Sequence, residues 1–183
     1  MNSVDFEAFW VIYTEAFPTD ERRSREQQES LTDPRYCVEL FEQNGIPVGF
    51  CCSWELDDFL FLEHIAVASV ARGSGIGSRV FKQKMESSKT PIVLEVEPPE
   101  TDVARRRIEL YMRLGFVLNA YGYVQPPLRP DSKPVSLQIM SWPDALTDET
   151  FESAKTILYR EVYQVSTDWT PQCSIHPKER YNK

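Results

Sequence analysis

Three glycines at alternate positions stand in the run Arg72-Gly73-Ser74-Gly75-Ile76-Gly77-Ser78, between an apolar stretch that ends at Val67 and residues with helical spacing, Ile76, Val80, Phe81 and Met85. A buried strand that turns through glycines into a helix makes an anion cradle. Glycine accepts positive φ and lets a ligand approach the backbone, and the free N–H groups of the helix start favour a phosphate, helped by the helix dipole. A Walker loop would need Gly-Lys-Ser/Thr at its end and a dinucleotide loop would need Gly-x-Gly-x-x-Gly; the third residue after Gly75 is Ser78, so neither fits. Two carboxylates also stand in apolar surroundings. Glu63 interrupts the run Phe59 to Val67, and Glu95 interrupts Ile92-Val93-Leu94-Glu95-Val96. Burial there would raise a carboxyl's pKa and prepare it as a base, unless Arg105, Arg106 or Arg107 pairs with it.

The elements that must position these groups follow from periodicity. Phe6, Phe9, Trp10, Tyr13 and Phe17 predict a helix from about Val4 to Ala16, ended by Pro18. Asp20 to Leu31, dense in charge, reads as an exposed helix or a mobile loop, and its Glu21-Arg22-Arg23 cluster as a solvated face. Alternating residues on either side of Asn44-Gly45 predict a β-hairpin. Phe59 to Val67 predicts a central strand, about Gly75 to Ser87 a helix, and Pro91 to Val96 a strand that Pro98-Pro99 stops. Ala104, Ile108 and Tyr111 predict a helix ending at Gly115, and Phe116 to Val124 with Val135 to Trp142 a final strand pair. Phe151, Ala154, Ile157, Leu158 and Val162 predict a C-terminal helix capped by Thr147 or Asp148, with an extended or frayed tail from Ser166. This order indicates an α/β or α+β fold, a mixed sheet flanked by helices.

A chain of 183 residues suits one domain with a C-terminal addition. Residues 1–143 are expected to form that domain, and 144–183 a helix and tail packed on it. With 28 acidic against 20 basic residues the formal charge is −8, a field that disfavours nucleic acid and anionic membrane and suits a cationic small substrate. No stretch nears the ~20 apolar residues that span a bilayer, and the first residues lack a leader pattern, so the cytoplasm is the expected compartment. Cys37, Cys51, Cys52 and Cys173 match no zinc spacing and read as free thiols, with Cys51 and Cys52 on opposite faces of a strand. Two histidines are too few for a histidine-based metal site, and no metal is predicted. By alternation His64 should point away from Glu63, which leaves it no catalytic role.

The run Arg72 to Gly77 after an Ile-Ala-Val strand resembles the pyrophosphate-binding motif of the GNAT superfamily of acyl-CoA-dependent N-acyltransferases. Leu110-Tyr111-Met112-Arg113-Leu114-Gly115-Phe116 resembles that superfamily's second motif, and element order matches over roughly Val4 to Trp142. Phe17-Pro18 with Glu21-Arg22-Arg23, Leu94 to Pro99, and Tyr123 with Pro126-Pro127 are similar to a bacterial branch of it. The resemblance implies the GNAT fold and acetyl-CoA as acyl donor. It further implies that Ile65, Ala66 and Val67 pair with the pantetheine arm through their backbone, that Arg72, Gly73, Ser74, Gly75, Ile76, Gly77 and Ser78 hold the pyrophosphate, and that Leu94 to Val96 splay from the neighbouring parallel strand. Tyr111 would lie near the coenzyme A sulfur and serve the departing thiolate. Direct attack needs an uncharged amine and hence a base; Glu95 and Glu63 are the candidates, with Glu95 ahead because the superfamily often takes a carboxylate from that strand.

Two departures accompany the resemblance. The first helix begins so early that the usual first strand is missing, short or replaced. The helix from Thr147 to Tyr163 lies beyond the ordinary core and would cover a sheet edge, close the acceptor site or form a dimer contact. The expected activity is acetyl transfer to a primary amine of a small molecule or protein, by a monomer or homodimer. The competing expectation is a non-catalytic acyl-CoA sensor on the same fold. Trp54, Tyr121 and Tyr123 would line an acceptor pocket or pack in the core.

Overall fold

A computed structural model of the chain describes residues 2–171. Helix α1 (Ser3–Ala16) is started by the Asn2 side chain, which accepts from the Asp5 N–H at 2.9 Å, and it stops where Phe17 turns extended ahead of Pro18. A short 3₁₀ turn (Thr19–Glu21) and a short helix α2 (Arg25–Ser30) follow, the latter opened by a reciprocal Ser24–Gln27 capping box. The charged segment is therefore a 3₁₀ turn and a short helix joined by extended backbone at Arg22 to Ser24. Strands β1 (Tyr36–Gln43) and β2 (Ile46–Glu55) form the expected hairpin, with Asn44 and Gly45 at φ of 55° and 74°. Two positive φ values in a two-residue loop match the twist of the flanking strands.

The remaining elements are β3 (Leu60–Val67), α3 (Ile76–Ser87), β4 (Ile92–Val96), α4 (Asp102–Arg113), β5 (Val117–Leu118), β6 (Tyr123–Gln125), β7 (Val135–Trp142) and α5 (Asp148–Ile157), whose end widens into a π turn over Leu158–Val162. Among the described residues the sheet has seven strands in the order β1-β2-β3-β4-β7-β5, with β6 also paired to β7. Only β3 and β4 run parallel, which makes the sheet mixed as expected. No strand precedes α1 among the described residues; β1 takes the sheet edge.

Alternation distributes the core over both faces. Ile92, Leu94 and Val96 pack with Val80, Phe81 and Ile108 beneath α3 and α4, whereas Val93 packs with Phe61, Leu137, Phe151 and Leu158 beneath α5. Phe9, Ile12 and Tyr13 of α1 cover Phe50 and Cys52 on the α5 side. Cys51 lies in the opposite core, so the two adjacent thiols do face apart; Cys37, Cys51 and Cys52 are free, and Cys173 lies outside the described residues. Helix α5 thus covers a face of the sheet rather than its edge. Its N-cap is Thr147, as expected, in a capping box with Thr150. The tail expected from Ser166 is described as far as Pro171, where Trp169 meets Tyr159 edge-on at 5.5 Å.

Two strand expectations need correction. The single strand expected over Phe116 to Val124 is broken into β5 and β6. The buried Asn119 side chain donates to the Ile139 carbonyl at 3.1 Å and accepts from the Leu146 N–H at 2.8 Å, so residues 119–122 leave the ladder while two residues of β7 pass. Strand β3 is bulged as well: Cys52 faces His64 but Ser53 faces Leu62, leaving Glu63 unpaired with β2. A bulge resets alternation, which is why His64 does not point away from Glu63; its Nδ1 lies 3.7 Å from the Glu63 carboxylate.

Candidate active site

The parallel ladder of β3 and β4 consists of Leu60–Ile92, Phe61–Val93 and Leu62–Leu94, and it stops there. Beyond Leu62, strand β3 stays with β2, while Glu95 and Val96 stay with β7. The two strands part, and a cleft opens through the sheet. Residues Ile65, Ala66 and Val67 line its β3 side with no ladder partner on β4 among the described residues. Gly49 makes room for this strand: a Cβ there would lie 2.6 Å from the Ala66 carbonyl oxygen.

At the end of β3 the chain turns through Ser69–Ala71 into the glycine loop. Gly73 and Gly75 both adopt φ of 79°, and no atom would meet a Cβ within 4 Å at either, so backbone conformation and not crowding selects glycine there. Gly75 is the N-cap of α3 and caps it with no side chain. Among the described residues the amides of Gly73, Gly75, Ile76, Gly77 and Ser78 find no acceptor. A ring of unpaired donors at a helix N-terminus, with the dipole behind it, is chemistry for a diphosphate. The Arg72 guanidinium folds back, donating from Nε to the Val67 carbonyl at 3.2 Å, and Ser74 donates to the Ala71 carbonyl at 2.6 Å. These two contacts brace the loop from both sides.

Two small adjoining cavities, about 40 Å³ each, fill the cleft. Glu63, Glu95, Phe17 and Arg107 line both; Tyr111, Leu94 and Ile65 line the first and His64 the second. Tyr111 enters from the α4 side, its ring 4.8 Å from that of Phe81, and burial pushes its hydroxyl up to about 12. Glu95 projects to the opposite face, beneath α5. Its carboxyl is raised to about 7 by burial, against which Tyr123 and Tyr163 donate hydrogen bonds that lower it, while the charges of Glu63 and Glu21 add to the rise.

Glu63 has the contrary environment. Burial would raise its carboxyl, but the Arg23 guanidinium at 2.7 Å and His64 outweigh that and hold it well below the usual carboxylate range. Trp54 donates from Nε1 to its second oxygen at 3.0 Å. The predicted cluster Glu21-Arg22-Arg23 is thus no solvated face at Arg23: its side chain is 7% exposed and lies over the rings of Tyr36 and Trp54. The suggested arginine partners on α4 pair elsewhere, Arg107 with Glu97 at 2.9 Å and Arg105 with Asp102. Tyr121 stacks on Phe151 away from the cleft and donates to Asp148. Sequence reasoning missed Arg23 and Tyr163. The first looked like one charge among many; the second stands beside an apolar helical stripe whose phase the π turn shifts.

Comparison with known proteins bears on family and fold. Residues 6–116 match the family described as acetyltransferase (GNAT) family. The chain is 26% identical over 154 residues to YjbC of Bacillus subtilis (strain 168), a protein named as an acetyltransferase, covering 82% of this chain and 78% of that one. A structure from Bacteroides thetaiotaomicron, named as an acetyltransferase of the GNAT family, superposes with a TM-score of 0.83 at 30% identity over 91% of this chain and 97% of its own. The ribosomal-protein-S18-alanine N-acetyltransferase of Escherichia coli shares the fold at a TM-score of 0.58 and 22% identity, over 81% and 94% of the two chains.

Proposed function

We propose that this chain, which belongs to the GNAT acetyltransferase family, transfers an acetyl group from acetyl-CoA to a primary amine by direct attack of the amine nitrogen on the thioester carbonyl. The observation that carries the reading is the opposed electrostatics of two neighbouring carboxyls in one cleft. Glu63 is tied to Arg23 and pushed down, while Glu95 is pushed up to about 7, the range of a general base at neutral pH. Environments that drive two like groups apart separate their roles. In this reading Glu95 is the base and Glu63 anchors the bulge.

The unpaired amides of Gly73, Gly75, Ile76, Gly77 and Ser78 suit the diphosphate of the donor, and the edge at Ile65, Ala66 and Val67, without a ladder partner on β4, suits its pantetheine arm. A related GNAT-fold structure, Naa50 of Arabidopsis thaliana, was solved with the bisubstrate analogue CoA-Ac-MVNAL, which supports a donor site of this kind on the fold. As the amine nitrogen bonds to the carbonyl carbon, Glu95 takes its proton; as the carbon–sulfur bond breaks, the Tyr111 hydroxyl supplies a proton or hydrogen bond to the thiolate. Tyr111 suits that task because it reaches the cleft from the α4 side with a hydroxyl that is protonated at neutral pH. The packing of Phe151, Leu158 and Val162 into the sheet supports taking residues 144–171 as part of the same unit as 1–143; residues 172–183 lie outside the described residues.

Thiol release from acetyl-CoA across a panel of primary amines tests the reading. Turnover on at least one amine, lowered 10²–10⁴-fold by Glu95→Gln, is expected. Coenzyme A binding without turnover on any amine would return the chain to a non-catalytic binding role, and an unimpaired Glu95→Gln would remove the base.

A further inference from the structure

The C-terminal addition reaches the centre of the cleft. Tyr163, the residue after the π turn, places its hydroxyl oxygen 2.8 Å from Glu95 Oε1 and 2.7 Å from Oε2. One hydroxyl set across both oxygens can donate to the carboxylate and accept from the carboxylic acid, so it suits either state of a group that gains and loses a proton. We propose that residues beyond Trp142 complete the active site by supplying Tyr163 as a positioning residue that holds the Glu95 carboxyl, an inference that rests on reading Glu95 as the base.

Three local features hold the hydroxyl there. The Tyr163 N–H reaches back to the Leu158 carbonyl at 3.0 Å, the wide spacing of a π turn, which rephases the helix and aims residue 163 at β4. Gln164 follows in the left-handed region at φ of 54°, a conformation that glycine would adopt at less cost. Tyr159, one turn earlier, donates to the Val124 carbonyl at 2.7 Å and so ties the turn to β6, the strand that carries Tyr123. Tyr123 donates to Glu95 Oε1 from that side. Both donors to Glu95 are thus fastened to each other.

The other charged or titratable groups facing Glu95 are Glu63 and His64 on β3, Glu21 on the 3₁₀ turn, Arg107 and Tyr111 on α4, Tyr159 in the π turn and Glu97 just past the end of β4, with Arg23 beyond Glu63. Glu63 and Glu21 disfavour a negative Glu95, and the two hydroxyls offset them. Removal of one hydroxyl therefore moves the Glu95 midpoint upward.

The test is a titration of the Glu95 side-chain carboxyl carbon by NMR in the full chain, its signal assigned by loss in Glu95→Gln. Tyr163→Phe is expected to raise the midpoint by about one pH unit. An unchanged or lowered midpoint overturns the proposal. Tyr159→Phe, which loosens the same turn but keeps the Tyr163 hydroxyl, is expected to lower the melting temperature and to raise the midpoint by clearly less than Tyr163→Phe does; an equal upward shift there would reduce Tyr163 to a structural part and overturn the proposal. In the unsubstituted chain the hydroxyl-bearing ring carbon of Tyr163 is expected to titrate with the Glu95 midpoint, and a flat trace overturns the contact even if Tyr163→Phe fails to fold. Failure of the base assignment shows separately, as undiminished turnover of Glu95→Gln.

Discussion

Arg23→Leu would leave Glu63 charged, 1% exposed and held only by the Trp54 N–H at 3.0 Å and the nearby His64. Breaking a buried ion pair from one side costs about 3–5 kcal/mol, because the remaining charge is left without compensation. For a chain of this size that corresponds to a fall of roughly 6–20 °C in melting temperature. The loss also has a pH signature. In the native chain the folded pKa of Glu63 lies below its ordinary 4.5, so its contribution to stability is fully present above that value and is lost as pH falls through the folded pKa. In the variant, burial prevails and the folded pKa lies above 4.5, so stability is lost as pH rises toward the new pKa. The gap between the two proteins should therefore widen from pH 5 to pH 8, by at most about 1.4 kcal/mol per pH unit. Urea unfolding of both proteins at the two pH values measures it, and Glu63→Gln in the Arg23→Leu background should recover much of the loss at pH 8. A loss under about 1 kcal/mol at pH 8, or a gap that does not change with pH, would refute the reasoning that Arg23 keeps Glu63 ionised and out of the proton chemistry.

Glu95→Gln should instead stabilise the fold above pH 7. A carboxyl raised from 4.5 to about 7 makes the folded state lose stability as pH rises across that window, on the order of 3 kcal/mol, and melting curves at pH 5 and pH 8 should show the variant gaining only at the higher value. Turnover of the native chain should rise with pH through about 7 and then level, as the base form of Glu95 fills; a rate independent of pH between 5.5 and 8.5 would contradict that. Tyr111→Phe should lower kcat by 10- to 100-fold with little change in the KM for acetyl-CoA, read in steady-state thiol release. Gly75→Ala places a side chain at φ of 79°, where the conformation costs about 1–2 kcal/mol although space is free; urea unfolding should show the variant less stable by about that amount.

Local chemistry made much of the fold legible in the sequence. Asn44-Gly45 dictates its turn by backbone preference alone, Pro18 and Pro98-Pro99 end their elements by removing donors, and the glycines at 73 and 75 take the positive φ that their pattern demanded. The splaying of β4 from β3 followed the resemblance, and the ladder does end at Leu94. What stayed hidden depends on tertiary choice. No spacing tells that Arg23, among five charged residues between Glu21 and Glu26, is the one to cross 40 positions and meet Glu63. A bulge that skips Glu63 in the ladder has no local signal, so alternation misdirected His64. Asn119 broke a strand through side-chain bonds to Ile139 and Leu146 that only the assembled sheet provides. Tyr163 was hidden by the π turn, which changes helical phase one residue at a time.

The decisive measurement is a crystal structure of the chain with coenzyme A. The diphosphate is expected within hydrogen-bond distance of the amides from Gly73 to Ser78, with the sulfur between β3 and β4 on the Tyr111 side of the cleft. A diphosphate bound elsewhere, with those amides turned to protein acceptors or the gap between β3 and β4 closed, would contradict the account.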